Sequence, residues 1–106
     1  MSAGQDCHAS DPLSDQTVSL AGFRWMAERV RAMARRHCGG RHVLALEGGY
    51  NQHTLPWLVA GIVAAMGDLP FDREDTFAPP VAVLPPAHDE RLRQVAATLS
   101  PYWRLP

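Results

Sequence analysis

The chain contains no lysine; all ten of its basic residues are arginine, set against eleven acidic ones. The resulting net charge of −1 leaves no positive surplus of the kind that marks a nucleic-acid footprint, and no nucleic-acid partner is expected. Cysteine is scarce. Cys7 and Cys38 have no CxxC or Cys/His spacing, which argues against a disulfide framework and against a zinc finger. Long hydrophobic runs are missing too. The longest uncharged stretch, Gly48 to Gly67, mixes polar and small residues with a proline and is too heterogeneous for a membrane span. The start is polar, with no basic segment ahead of an apolar one, so no signal peptide is expected and the default compartment is cytoplasmic. No internal repeat is visible. With 106 residues, 46% of them apolar and 20% charged, the chain fits one small globular domain and not a disordered one.

Six of the arginines fall between positions 24 and 41. They read either as an anion patch or as the solvated face of an amphipathic helix, and the second reading is preferred. Ser19 has the character of an N-cap, and Leu20, Phe23, Met26, Ala27, Val30 and Met33-Ala34 follow three and four apart. This spacing predicts a helix over 20–37, ended by Cys38-Gly39-Gly40, with Arg35, Arg36 and His37 suiting its C-terminal dipole. Arg41 to Leu46 predicts a short strand buried on both faces, as in a parallel sheet. Leu55, Leu58, Val59, Ile62, Val63 and Met66 predict a second helix from about Thr54, with Pro56 in its first turn and Gly67 at its end. Residues 68–88 hold five of the nine prolines and read as an irregular connector. Asp89 to Leu99 predicts a last helix with Leu92, Val95, Ala96 and Leu99 on one face, after which Tyr102-Trp103 is expected to pack back. The order of loop, helix, strand and helix is a piece of an alternating α/β fold. One clear strand and a stub do not make a whole parallel sheet, so an incomplete fold is expected.

The most informative stretch is Leu46-Glu47-Gly48-Gly49-Tyr50-Asn51-Gln52-His53. Paired glycines allow a sharp turn and leave open space beside the backbone. The tyrosine after them stands at the C-terminal end of a strand, where α/β sheets place their chemistry. A neutral phenol there can donate a hydrogen bond to a developing oxyanion. The plainer reading is a structural turn with a packing tyrosine. A phosphate loop is a third, but GxGxxG and GxxxxGK are both absent and Glu47 would repel phosphate. Near the start, Asp6 and His8 lie two apart. On an extended backbone they point the same way, a plausible pair of metal ligands; a solvated loop pair is the plainer alternative.

Ser2-Ala3-Gly4-Gln5-Asp6, Asp11-Pro12-Leu13, Leu20-Ala21-Gly22-Phe23 and Leu46-Glu47-Gly48-Gly49-Tyr50-Asn51 occur in this order. Together they resemble the C-terminal third of the histone deacetylase superfamily, most closely its class II-like bacterial members such as acetylpolyamine amidohydrolases. The closing Leu99-Ser100-Pro101-Tyr102-Trp103 also looks like that family's end. The resemblance implies an α/β fold, the C-terminal portion of an arginase/deacetylase-like parallel sheet, with residues 1–106 as one part of the domain. It implies a zinc-dependent hydrolase acting on N-acetyl amides of lysine or polyamine-type amines. By resemblance, Asp6 is the third protein ligand of the zinc. Tyr50 polarises the scissile carbonyl and steadies the tetrahedral intermediate. Gly48 and Gly49 keep the wall of the acyl tunnel thin, and Leu13 sits at its mouth. His8 has no assured role and reads as a loop histidine. Asp11 is expected to brace its loop with Pro12, and Glu47 to be structural.

The family's other two zinc ligands and its general-base histidine pair lie upstream of the position of Asp6, and His37, His42, His53 and His88 do not match them by position. Met1 stands where relatives continue back into an apolar strand, which suggests a start inside a longer reading frame or a truncated gene. The chain alone is therefore expected to be inactive. The alternative is a non-catalytic remnant serving as an interaction or oligomerisation module, with a homo-oligomer as one outcome.

Overall fold

The computed structural model describes residues 1–80 and 86–104. Two short strands, β1 (Ser2–Ala3) and β2 (Ala45–Leu46), form a parallel pair in which Ser2 faces Ala45 and Ala3 faces Leu46. Between them runs α1 (Leu20–Cys38), and after β2 comes α2 (Leu55–Gly67). A third helix, α3 (Pro86–Leu99), closes the order. This is part of an α/β fold, with a helix between two parallel strands.

The ends of α1 follow from its sequence. Ser19 is extended and its hydroxyl accepts the Gly22 N–H at 3.2 Å, satisfying one of the helix's free donors. Gly39 takes the left-handed conformation, φ 62°, and its N–H returns to the Ala34 carbonyl. The buried stripe is Leu20, Phe23, Ala27 and Ala34. Met26 and Met33, expected on that face, are exposed instead. The core is built where α1 meets α2: Leu20, Phe23 and Ala27 against Leu58, Ile62 and Ala65, with Cys7, Val18, Leu44, Trp57, Met66 and Phe71 at its margin. Removing a side chain such as Leu58 from water is worth roughly 1.5–3 kcal/mol.

Three of the six arginines do more than form a solvated face. Arg24 donates to the Phe71 carbonyl and lies over the Phe71 ring. Arg31 and Arg35 reach Asp68 at 2.7 and 3.7 Å. Asp68, not Gly67, holds the left-handed position that ends α2, at φ 61°. The guanidinium of Arg31 beside it, with Arg35 behind, keeps the Asp68 carboxyl below its ordinary pKa against the opposing effect of desolvation. These arginines fasten the segment after α2 to the side of α1.

Three expectations are corrected. The strand predicted over 41–46 is a strand only at Ala45–Leu46, and it is not buried on both faces: Val43 and Ala45 are exposed on one face, and Leu46, on the other, stands at the rim of the gap toward α2. The connector ends before position 88, since α3 begins at Pro86; proline's missing N–H costs nothing in a first turn. The part of the connector at 81–85 lies outside the described residues. Finally, α3 buries none of its residues, so Leu92, Val95 and Leu99 face outward, and Tyr102 and Trp103 are exposed rather than packed back. Among the described residues α3 packs on neither α1 nor α2.

Candidate active site

Parallel pairing sends both strands out of the sheet at the same end. From β1 the chain passes through Gly4-Gln5 to Asp6; from β2 it passes through Glu47 to Gly48-Gly49-Tyr50. The two exits are joined. Gln5 N–H donates to the Gly48 carbonyl at 2.8 Å, and Glu47 N–H to the Ala3 carbonyl at 3.4 Å. The Ser2 hydroxyl donates to Glu47 Oε1 at 3.0 Å, a structural use of that carboxylate.

The Asp6 carboxylate lies flat against glycine backbone. A Cβ on Gly48 would stand 2.6 Å from Oδ2, and one on Gly4 would stand 2.8 Å from Oδ1. Gly49 adopts φ 127°, which side chains rarely allow, and a Cβ there would also meet Leu55 and Gln5. The expected open space beside Gly48 is thus filled by Asp6. The only polar partner of this carboxylate among the described residues is the Cys7 thiol, 3.9 Å from Oδ1. Its lone pairs remain free, which suits a metal ligand. One carboxylate is not a metal site, however, and the described residues contain no group of three or more His, Cys, Asp or Glu that could hold an ion.

His8 does not join Asp6. Asp6 and Cys7 form a turn, so the extended geometry that would align the two side chains is missing. The His8 ring is buried, edge-on to Trp57 at 5.3 Å and to Phe77 at 6.1 Å. Its Nδ1 lies 2.8 Å from the Ser10 hydroxyl and its Nε2 3.2 Å from Asp75 Oδ2. Both nitrogens are occupied, so His8 is a packing and bridging residue.

Tyr50 is half exposed. What fixes it is its backbone: the Tyr50 N–H donates to Asp11 Oδ2 at 2.7 Å, while Asp11 Oδ1 accepts the Leu13 N–H at 3.0 Å. Burial would raise the Asp11 pKa, but the N–H groups of Tyr50, Leu13 and Asn51 outweigh it and hold the carboxyl below its ordinary value. Asn51 Nδ2 donates to the Ser10 carbonyl at 2.9 Å, and the Ser10 hydroxyl to Thr54 Oγ1 at 3.0 Å. Thr54, used in this way, makes no side-chain cap on α2. Leu13 projects into solvent. His37 and His53 are exposed, His42 precedes β2 with its Nδ1 against the Gly40 carbonyl, and among the described residues no ring nitrogen of these three bonds either loop; His53 meets Asn51 only through its backbone N–H.

The backbones of the Asp6 and Tyr50 loops are therefore brought together, but five concavities formed by the described residues are lined by neither residue. One of these, of about 290 Å³, lies between the sheet and α2, lined by Leu44, Leu46, Val59, Ile62, Val63 and Met66. Sequence reading missed Ser10, Thr54 and Asp75. The first two sit among turn residues that could have flagged them; Asp75, in a segment without periodicity, gave no signal.

The histone deacetylase domain family matches residues 1–66; the resemblance of Leu99–Trp103 lies outside that match. A probable deacetylase of Archaeoglobus fulgidus is 46% identical over 67 residues, covering 62% of this chain and 19% of the relative. A chloroplastic histone deacetylase 10 of Oryza sativa is 47% identical over 60 residues, 57% of this chain and 14% of the relative. A histone deacetylase-like amidohydrolase of Pseudomonas aeruginosa is 36% identical over 63 residues, 59% of this chain and 17% of the relative. The chain thus spans less than a fifth of the length of these relatives. With a match over most of its residues, this chain belongs to the histone deacetylase family.

Proposed function

We propose that the chain supplies one wall of a zinc-dependent deacylase site that hydrolyses N-acetyl amides of lysine or polyamine-type amines. Residues 1–106 form one part of the domain, and the remaining ligands and the general base come from sequence that these residues do not include. The observation that carries the reading is the pairing of the two strand exits, with Gln5 N–H on the Gly48 carbonyl. It sets the Asp6 and Tyr50 segments side by side at the C-terminal end of a parallel sheet.

Asp6 offers free carboxylate oxygens to the metal. Held by Asp6 together with ligands from outside these residues, zinc would supply Lewis-acid polarisation of the acyl carbonyl and a lowered pKa for the attacking water. The Tyr50 hydroxyl donates a hydrogen bond to the carbonyl oxygen as it gains charge, a contribution of about 3 kcal/mol for one such donor. Gly48 and Gly49 put no side chain into the wall of the acyl tunnel, the space beside Gly48 being taken by the Asp6 carboxylate itself, and Leu13 lies at the entrance for an extended acyl-amine stem. By itself the chain offers a single carboxylate, so it neither holds zinc tightly nor turns over substrate. No helix among the described residues is long and apolar enough to cross a membrane, and we propose a cytoplasmic protein without a membrane or nucleic-acid partner.

The test is a chimera. The matching segment of the Archaeoglobus fulgidus relative is replaced by residues 1–66 of this chain, and deacetylation of an acetyl-lysine peptide and of an acetylpolyamine is followed. Asp6→Asn is expected to release zinc. Tyr50→Phe is expected to keep zinc and to lower kcat by roughly 10²–10³-fold. A folded, active chimera indifferent to both substitutions would refute the reading.

A second reading is favoured by the exposed apolar side chains of Val43, Leu46 and Val63 around the sheet and α2. They would suit a non-catalytic interaction or oligomerisation module. Size-exclusion chromatography of the chain separates the two: a monodisperse monomer at micromolar concentration counts against this module.

A further inference from the structure

We propose that Asp11 is the positioning residue of Tyr50, and that through its second oxygen it sets Leu13 at the same time. The proposal rests on the reading of Tyr50 given above. Three observations carry it. First, the ring of Tyr50 is half exposed, and its hydroxyl has no hydrogen-bond partner among the described residues. The direction of the side chain is thus set from the backbone. Second, the residues before it supply little restraint. Gly48 and Gly49 are the most conformationally permissive pair available, and Gly49 already stands at φ 127°. Third, the Tyr50 N–H ends in a 2.7 Å bond to a buried, doubly occupied carboxylate.

The geometry around Asp11 explains why an aspartate serves here. Pro12 has no N–H, so the first downstream donor is Leu13, within reach of a short side chain folding back on its own loop. The other oxygen is left to cross to Tyr50, 39 residues away. An asparagine would keep the shape but hold only one acceptor oxygen, and its amide N–H groups would face a backbone donor. Ser10 and Asn51 join the same two loops, yet neither bonds the Tyr50 peptide. Asp11 therefore fixes the Cα–Cβ direction of the phenol and the entrance residue together.

Two measurements test this. In the ¹⁵N-labelled chain, the Tyr50 and Leu13 amides are expected to exchange at least about tenfold more slowly than unbonded loop amides. In Asp11→Ala, which removes both acceptor oxygens, both lose that protection while Leu58 keeps its own. An unprotected Tyr50 amide in the unaltered chain overturns the proposal without recourse to any variant. In the chimera, Asp11→Ala is expected to lower kcat about tenfold with zinc content intact, and to change it less than twofold on a Tyr50→Phe background, since two residues acting through one group are not additive. Equal losses on both backgrounds overturn the positioning role. If Tyr50→Phe alone has no effect, the deacylase reading fails while the exchange measurement still decides whether Asp11 holds Tyr50.

Discussion

His8 and Asp75 meet at 3.2 Å across 67 residues of sequence, with the imidazole 1% exposed and the carboxylate 8%. Asp75 also accepts the first N–H of α1, at Leu20, through the same oxygen at 2.8 Å, and the Phe77 N–H at 3.1 Å through the other. One carboxylate thus binds the Asp6–Asp11 loop, the start of α1 and the segment after α2. Burial would raise its pKa, but these donors hold it below the ordinary carboxylate value.

Asp75→Ala is accordingly expected to cost about 2–3 kcal/mol, because three donors lose a charged acceptor and two of them lie in the interior. Urea unfolding followed by circular dichroism measures it. A loss below about 0.5 kcal/mol would mean that the three donors find other partners.

The same carboxylates set the acid response. Asp11, Asp68 and Asp75 are all depressed in the folded chain relative to 3.8. Their contribution is complete above the unfolded value and is lost as pH falls through the lower folded values. The unfolding midpoint should be level from neutral pH to about pH 5 and then fall steeply below pH 4. Asp75→Asn should flatten that fall. A midpoint that rises on acidification would contradict the assignment.

Two neighbouring glycines should respond differently to alanine. At Gly48 the clash is with the end of the Asp6 side chain, which can swing away. Stability should change by less than about 1 kcal/mol, while the chimera loses zinc affinity. At Gly49 the obstacle is φ 127° itself, so alanine should cost about 1–3 kcal/mol whatever Asp6 does. Thermal melts of the two variants, with zinc titration of the chimeras, separate the cases.

Gly61 sets two effects against each other. Alanine favours a helix interior over glycine by about 1 kcal/mol. A Cβ there would stand 2.6 Å from Leu20 Cδ1 and 3.3 Å from the Phe71 ring, inside the α1–α2 contact. Overpacking of this kind costs about 1–3 kcal/mol, so Gly61→Ala should destabilise on balance. A higher melting temperature would show that Leu20 relaxes freely.

Deleting 86–106 should leave the unfolding of α1 and α2 unchanged within error. Among the described residues α3 buries nothing and touches neither helix. A drop of more than about 4 °C would show that α3 contributes to the core.

Where structure is set by neighbours in sequence, it was legible. Ser19, Gly39, Pro56 and the spacing of Leu20, Phe23 and Ala27 fix α1 and the start of α2, since caps and helical faces depend on residues within one or two turns. The glycine pair before Tyr50 marked the strand end, but the turn itself lies further on, at Gln52–Thr54. What the tertiary structure alone decided is which distant groups those turns meet. Asp11 looked like a local brace and proved to hold Tyr50. His8 looked like a solvated loop residue or a companion of Asp6 and proved to be buried on Asp75. Hydrogen bonds across 39 and 67 residues leave no periodic trace in a chain, because they depend on how α1 and α2 pack. The burial of β2 was misjudged for the complementary reason. Apolar composition states what a strand can bury, whereas exposure is decided by whether other elements are there to cover it.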